Sequence, residues 1–279
     1  MINNILIPLD LSGTISPHVG YALNLAKKFN ARLTLLQSYP IYPQAVPASG
    51  FAGVASPIEP FDEERIRMNT ENKLKEIQGL QDIHYELIVL PYAEHTILTN
   101  MHEELNSDLL VLNGDDATDL EAFFGTKPEM LSRKAKCSTL IVPEGYEFKP
   151  YHRIGLALDE GEAKEDVSLD DLLPFITGYA ASLEAFHVTD KQADELTSTQ
   201  HDVYSFLKER MLEQNITNFN YHTVMEDDIS EGMNHFIDTK KIDLLVLLYR
   251  DHGFFKRVFN PGIRKQMIHQ AGVPTLILK

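Results

Sequence analysis

The chain has a single cysteine, Cys137, so no disulfide forms within it. Basic residues are scarce. Against 41 Asp and Glu stand 25 Lys and Arg, a formal charge of −16. That balance argues against nucleic acid, whose binding is driven by neutralising phosphates with Lys and Arg, and it disfavours anionic membrane surfaces. No basic run or RNA-reading aromatic motif offsets it. No window approaches the ~18 apolar residues of a membrane-spanning helix. The first residues read as a polar-flanked strand rather than a charged leader followed by a long apolar stretch. A cytoplasmic protein is expected. Fixed-spacing chemical motifs are also missing: H-E-x-x-H, C-x-x-C, Walker A and a pyrophosphatase-type S-G-G-x-D-S do not occur. No Ser-His-Asp arrangement singles itself out.

What the sequence does contain, it contains twice. NNILIPLD (3–10) is echoed by HRIGLALD (152–159), SDLLVLNGDD (107–116) by IDLLVLLYRD (242–251), and STLIVPEG (138–145) by PTLILK (274–279). The order is the same in both halves, and a period near half of 279 residues is far too long for a solenoid. Two tandem copies of ~140 residues each suit the length, and each is long enough to bury a core. The division expected is 1–143, a joining segment 144–152, and 153–279.

Each half alternates strands and helices, which implies parallel sheets with right-handed crossovers. ILIPL (5–9) is apolar throughout, as in a strand covered on both faces. Ser16 and Pro17 open a helix with Val19, Ala22, Leu23 and Ala26 at helical spacing. Strands follow at 31–39, 84–90, 108–114 and 138–143, with helices at 61–80, 94–105 and after Thr126. The second half predicts strands at 153–159, 184–190, 219–225, 243–249 and 274–279. Its helices are expected at 169–183, with Pro174 kinking or ending part of it, and at 205–215, 229–241 and about 262–271. From Asp10 to Leu109 is 99 residues and from Asp159 to Leu244 is 85; the 14-residue difference matches a Pro-, Gly- and Ala-rich loop at 40–60 that only the first half carries. Long loops of this kind are commonly functional, and a passive wrapping loop reads equally well.

In ILIPLDLS (5–12), GYALNLAKKFNARLTLLQSY (20–39), DLLVLNG (108–114) and FFGTKPEMLSRKAKCSTLIVP (123–143), the chain resembles the universal stress protein family, specifically its tandem two-domain members. The resemblance implies an open five-stranded parallel α/β sheet in each half, Rossmann-like, with helices on both faces. It implies docking of the halves through their last strands, 138–143 and 274–279, as an intramolecular pseudo-dimer; further homo-oligomerisation is compatible. In nucleotide-binding members the Asp ending strand one lies near adenine and ribose, and Gly-x-x-Gly, nine residues, then Gly-Ser/Thr holds the phosphates. Asp10, Gly114, Gly125 and Thr126 are the matching positions here, with Ser12 and Lys127 as further candidates beside them. The chemistry suits them, because ligands of open parallel sheets bind beyond the strand carboxyl ends at the switch point, and a helix start presents N–H donors to phosphate.

Other readings stand beside each of these. Asp10 also serves as a carboxylate capping the turn LSGT, and Ser12 as part of that turn. Thr126-Lys127-Pro128-Glu129 is a capping box in its own right; a capped helix start can still receive phosphate, with Lys127 near a γ-phosphate. The glycine motif departs from the family: Ala117 takes the second glycine's place, the run to Gly125 is two residues short, and Asp115 and Asp116 sit where phosphates belong. Carboxylates there oppose a triphosphate unless a metal bridges them. The second half departs further, with Tyr249 in place of Gly114 and Pro261-Gly262 in place of Gly125-Thr126. Its loop 250–265 is basic but lacks the glycine cradle, and Asn260-Pro261 suits a plain helix start. His18-Val19-Gly20-Tyr21 has the form of a nucleotidyl-transferase H-x-G-H, with Tyr21 where the second catalytic histidine is required. His84, His187 and His222 read as satisfied core or surface residues, and Cys137 as a packed small residue.

The function expected is a stress-response sensor of the universal stress type, with ATP or AMP in the first half (Mg²⁺ accompanying ATP) and no strong catalytic apparatus. Two alternatives belong to other classes: an interaction protein recruiting a partner through the 40–60 loop and its acidic surface, and a slow nucleotide hydrolase.

Overall fold

In a computed structural model the described residues are 1–9, 17–40, 62–92, 105–113, 137–143, 145–158, 169–189, 198–248 and 272–279. Their strands form one ten-stranded sheet. The first half supplies β1 (Asn4–Leu9), β2 (Arg32–Pro40), β3 (Tyr85–Tyr92), β4 (Leu109–Asn113) and β5 (Ser138–Val142). The second supplies β6 (Arg153–Ala157), β7 (Ser182–Thr189), β8 (Phe219–Met225), β9 (Leu244–Leu248) and β10 (Thr275–Leu278). The order is β3-β2-β1-β4-β5-β10-β9-β6-β7-β8, so each half has the same 3-2-1-4-5 arrangement, read in opposite directions from the centre. Pairing is parallel except at that centre, where β5 and β10 run antiparallel with Leu140 opposite Leu276. The last strands meet as the resemblance implies, and they merge the two five-stranded sheets into one.

The central strands are apolar because both faces are covered. Every residue of β1 is buried, as is every residue of β9. Helix α1 (Pro17–Phe29) lays Val19, Ala22, Leu25 and Ala26 on Ile5, Ile7, Leu33 and Leu35. Each of the Val, Leu and Ile side chains among them contributes ~1.5–3 kcal/mol by leaving water, and each alanine less. Lys27 and Lys28 in its last turn suit the negative end of the helix dipole, and Asn30 closes it in the left-handed region at φ 54°. Helices α3 (Leu173–Tyr179) and α4 (Ser198–Glu213) join the same cluster through Phe175, Ile176, Val203, Leu207 and Met211. Helix α5 (Ile229–Lys240) covers the other face of the second half through Met233, Phe236 and Ile237. Among the described residues no helix is long and apolar enough to cross a membrane.

Three element boundaries correct the sequence reading. The helix expected over 61–80 is α2 (Glu63–Leu74), and it stops early. Gly79 turns the chain at φ 83° into a single 3-10 turn at Leu80–Asp82. Pro174 opens α3 rather than breaking it, because the first turn has no use for the N–H that proline lacks. This leaves Ser182 and Leu183 to β7, two residues before the expected strand. Helix α4 starts at Ser198, seven residues before 205, and buries Val203 one turn ahead of Leu207.

Candidate functional site

The carboxyl edge of the first half is where a ligand of this architecture binds. β1 pairs with β2 on one side and β4 on the other, and from this point the connections run in opposite directions. Ile5 stands opposite Leu109 and Leu6 opposite Leu110; continued, that register sets Leu9 beside Asn113. On the other flank Leu9 is opposite Gln37. Gln37 is buried, an amide inside β2 at the level where β1 ends, and Asn113 is half-buried. Asp10 follows Leu9 in the chain, and Gly114 follows Asn113. Asp10, Ser12, Gly114, Gly125, Thr126 and Lys127 all lie outside the described residues, as do Asp115, Asp116, Ala117 and nearly all of the 40–60 loop.

The second half offers a drier edge. Asn4 pairs with Arg32 and Arg153 with Ser182, which matches β6 to β1 residue by residue. His187 then takes the place of Gln37, and Leu248 takes that of Asn113. Leu248 is buried and packs with the core. Asp159, Tyr249, Pro261, Gly262 and the basic loop 250–265 lie outside the described residues.

His18 and Tyr21 have structural partners. His18 is buried in the first turn of α1, and its Nε2 donates to the carbonyl oxygen of Pro8 at 3.3 Å. It pins the helix start to the end of β1. Tyr21 shares a 2.6 Å hydroxyl–hydroxyl hydrogen bond with Tyr151, both buried. Burial pushes both phenols well above their usual value. A transferase reading of H-V-G-Y therefore has no chemistry to stand on.

Two carboxylates that pattern reading passed over hold the strands in place. Asp108 Oδ2 accepts from the N–H groups of Asn3 and Asn4 at 2.7 and 3.0 Å. Asp243 Oδ2 accepts from His152 and Arg153 at 2.8 and 2.9 Å. Each clasps the amino end of the central strand of its half, and the repeated S/I-D-L-L was the available signal. A third carboxylate, Glu184, is buried between β7 and β8. Its Oε2 is 2.7 Å from His222 Nε2, and its Oε1 accepts from Asn220 Nδ2 at 3.0 Å. Burial alone would raise its pKa; the hydrogen bonds from His222 and Asn220 outweigh that and hold it below the usual carboxylate value. The cluster lies in mid-strand under Phe236, away from the carboxyl edge. Cys137 is buried and burial pushes its thiol up to about 12, so it is an inert packed residue, as expected. Among the described residues no three His, Cys, Asp or Glu side chains group to hold a metal.

Residues 1–143 match the Universal stress protein family, and the chain belongs to that family. Among solved structures it is similar to a universal stress protein from Archaeoglobus fulgidus, with 14% identity, 99% of this chain and 96% of that one covered, and a TM-score of 0.64. A functionally unknown protein from Pseudomonas aeruginosa aligns over 100% of this chain and 92% of its own, with 13% identity and a TM-score of 0.58. The cytoplasmic domain of a prokaryotic cation chloride cotransporter aligns over 99% and 95%, with 13% identity and a TM-score of 0.55. At these identities the likeness is one of fold. No curated protein matches the sequence.

Proposed function

We propose that this protein is a cytoplasmic, universal-stress-type sensor that takes an adenine nucleotide, ATP or AMP, at the carboxyl edge of its first half. The chain divides into two units, 1–143 and 153–279, joined by 144–152, and the first alone carries the site. Asp10 accepts from ribose or adenine, with Ser12 beside it in the turn. Gly114 lets the backbone approach the phosphates. Gly125 and Thr126 present a helix start to them, and Lys127 meets the terminal phosphate, with Mg²⁺ accompanying ATP. One observation carries the reading: β1 and β4 are parallel neighbours at the switch point, paired at Ile5–Leu109 and Leu6–Leu110, and the residues that follow the two strands in the sequence are Asp10 and Gly114. Family membership supports it. Nothing in the reading requires turnover.

The test is to purify the full chain gently, identify co-purified small molecules by mass spectrometry, and titrate the stripped protein with Mg²⁺-ATP, ADP and AMP by calorimetry. A co-purified adenine nucleotide, or saturable binding at one site per chain, supports the proposal. No ligand and no heat would overturn it and leave the interaction-protein reading. Steady release of ADP or AMP from ATP would make it a slow hydrolase.

A further inference from the structure

The match between halves extends to the amino ends of the strands, which the antiparallel centre sets on opposite edges of the sheet for the two halves, and there it has one break. Near β6, the segment 145–151 runs across the strand ends and fills them with rings. Tyr21 of α1 has Phe148 at 5.1 Å and Tyr146 at 6.3 Å, Phe148 has Tyr151 at 6.2 Å, and the Tyr21–Tyr151 hydrogen bond closes the group. The strand register gives the counterpart of each position in the other half. Tyr151 corresponds to Ile2, Asp243 to Asp108, Pro274 to Ser138 and, counted back from the match of β2 to β7, Tyr21 to Asp171, just ahead of α3. There Ile2 and Asp171 stand where the second half has its two bonded tyrosines, and the ring of Phe175 borders the space. That space is a cleft of about 170 Å³ between the amino ends of β1, β4 and β5 and the start of α3, lined by Ile2, Ser107, Asp108, Cys137, Ser138 and Asp171. That is room well beyond a single water.

We propose that this cleft is a binding site for a small organic cation bearing several N–H donors, a short diamine or an alkylguanidine. Three observations carry it. Asp108 and Asp171 both line the cleft, and each is oriented by a fixed bond: the clasp on Asn3 and Asn4 for one, and Ser138 Oγ donating to Oδ2 at 2.6 Å for the other. Two anchored carboxylates facing one partly enclosed space favour a positive guest. Ser107 is nine-tenths buried against the cleft, and its Oγ meets no partner in the fold. A buried hydroxyl left unmet is costly and calls for a partner, which a multi-donor guest supplies. Finally, the acceptors that line the cleft are spread over three side chains, Asp108, Asp171 and Ser107, so a guest whose donors are spread over several atoms matches them. The site lies at the opposite end of the strands from Asp10 and Gly114 and does not depend on the nucleotide reading.

The test uses the full chain with putrescine and agmatine as probes, n-butanol as the uncharged control and Mg²⁺ as the inorganic one, followed by calorimetry and thermal melting at fixed ionic strength. Saturable binding of an amine is expected. Asp171→Asn, whose amide oxygen can still accept from Ser138, weakens it about tenfold or more, and Ser107→Ala weakens it less. Asp170→Asn changes the neighbouring carboxylate, which pairs with Arg210 outside the cleft, and leaves binding unchanged, as does Asp10→Ala. The proposal is overturned if neither amine saturates by about 10 mM, a free energy weaker than roughly 3 kcal/mol. It is equally overturned if Asp170→Asn and Asp171→Asn weaken binding alike, or if Mg²⁺ binds as well as the amines; either result reports only the overall negative charge.

Discussion

The two halves share strand order, register and even their carboxylate clasps, yet they diverge at both edges of the sheet. At the carboxyl edge the first half ends β4 on a half-buried Asn113 and the second ends β9 on a buried Leu248. At the amino edge the second half is packed with tyrosines and the first holds an acidic cleft. Repetition thus preserves what the backbone needs, namely apolar central strands and a carboxylate at the start of β4 and β9. It does not preserve the edges, where Ile2 and Tyr151, or Asn113 and Leu248, occupy matching places. Binding sites in open α/β sheets belong to such edges.

The aromatic seam gives the sharpest way to break the comparison. Tyr151 is fully buried and touches Phe148, Phe175 and Tyr179 as well as Tyr21. Tyr151→Ala should cost about 3–5 kcal/mol, read as a lower urea midpoint, whereas Ile2→Ala at the matching place should cost about 2 kcal/mol, since Ile2 borders the open cleft. Equal losses would mean that the seam does not bind the halves together.

The clasps test what the halves share. Asp108→Ala and Asp243→Ala each remove two charge-assisted bonds to backbone N–H. Each should cost about 2–3 kcal/mol, and the two losses should agree within experimental scatter. A harmless substitution at either position would show that the repeat of S/I-D-L-L is not structural there.

Glycines in helices separate the halves again. A Cβ on Gly232 of α5 would lie 2.6 Å from Val188 Cγ1 and 3.0 Å from Glu226 Cβ, so Gly232→Ala should lower stability by about 1–3 kcal/mol. A Cβ on Gly20 of α1 meets nothing within 4 Å, and Gly20→Ala should raise stability by about 0.5–1 kcal/mol through helix propensity. Thermal melting of both variants checks the opposite signs.

The smallest effect is a pH dependence confined to the second half. The Glu184 pKa is lower folded than unfolded. Its contribution is therefore present above the unfolded value, near the ordinary range for Glu, and is lost as pH falls through the lowered folded value. Glu184→Gln should flatten the acid limb of a stability–pH curve while leaving the neutral region less affected. An unchanged acid limb would show that the bonds to His222 and Asn220 do not favour the ionised form.

Much of this architecture was legible in the sequence. The apolar runs at 5–9 and 244–248 announced buried parallel strands, and the echo of STLIVP in PTLILK marked the two strands that meet at the centre. Boundaries were less legible where local chemistry competes with periodicity. The charged stretch at 61–80 leaves the helix after Leu74 and turns at Gly79, and Pro174 serves the first turn of a helix whose apolar pattern runs past it in both directions. The seam and the cleft were not legible, because they depend on which residues the antiparallel β5–β10 pairing brings together across the halves. Of the nucleotide site the sequence offered the residue types, and the fold adds that β1 and β4, the strands preceding Asp10 and Gly114, are parallel neighbours in the sheet.

The central claim is that two copies of one fold have divided, with the nucleotide in the first. Thermal melting of the wild-type chain, Asp10→Ala and Asp159→Ala, each with and without Mg²⁺-ATP and AMP, tests it most directly. The account predicts a ligand-dependent rise in melting temperature that is lost in Asp10→Ala and kept in Asp159→Ala. A rise that survives Asp10→Ala and disappears in Asp159→Ala, or no rise in the wild-type chain, would contradict it.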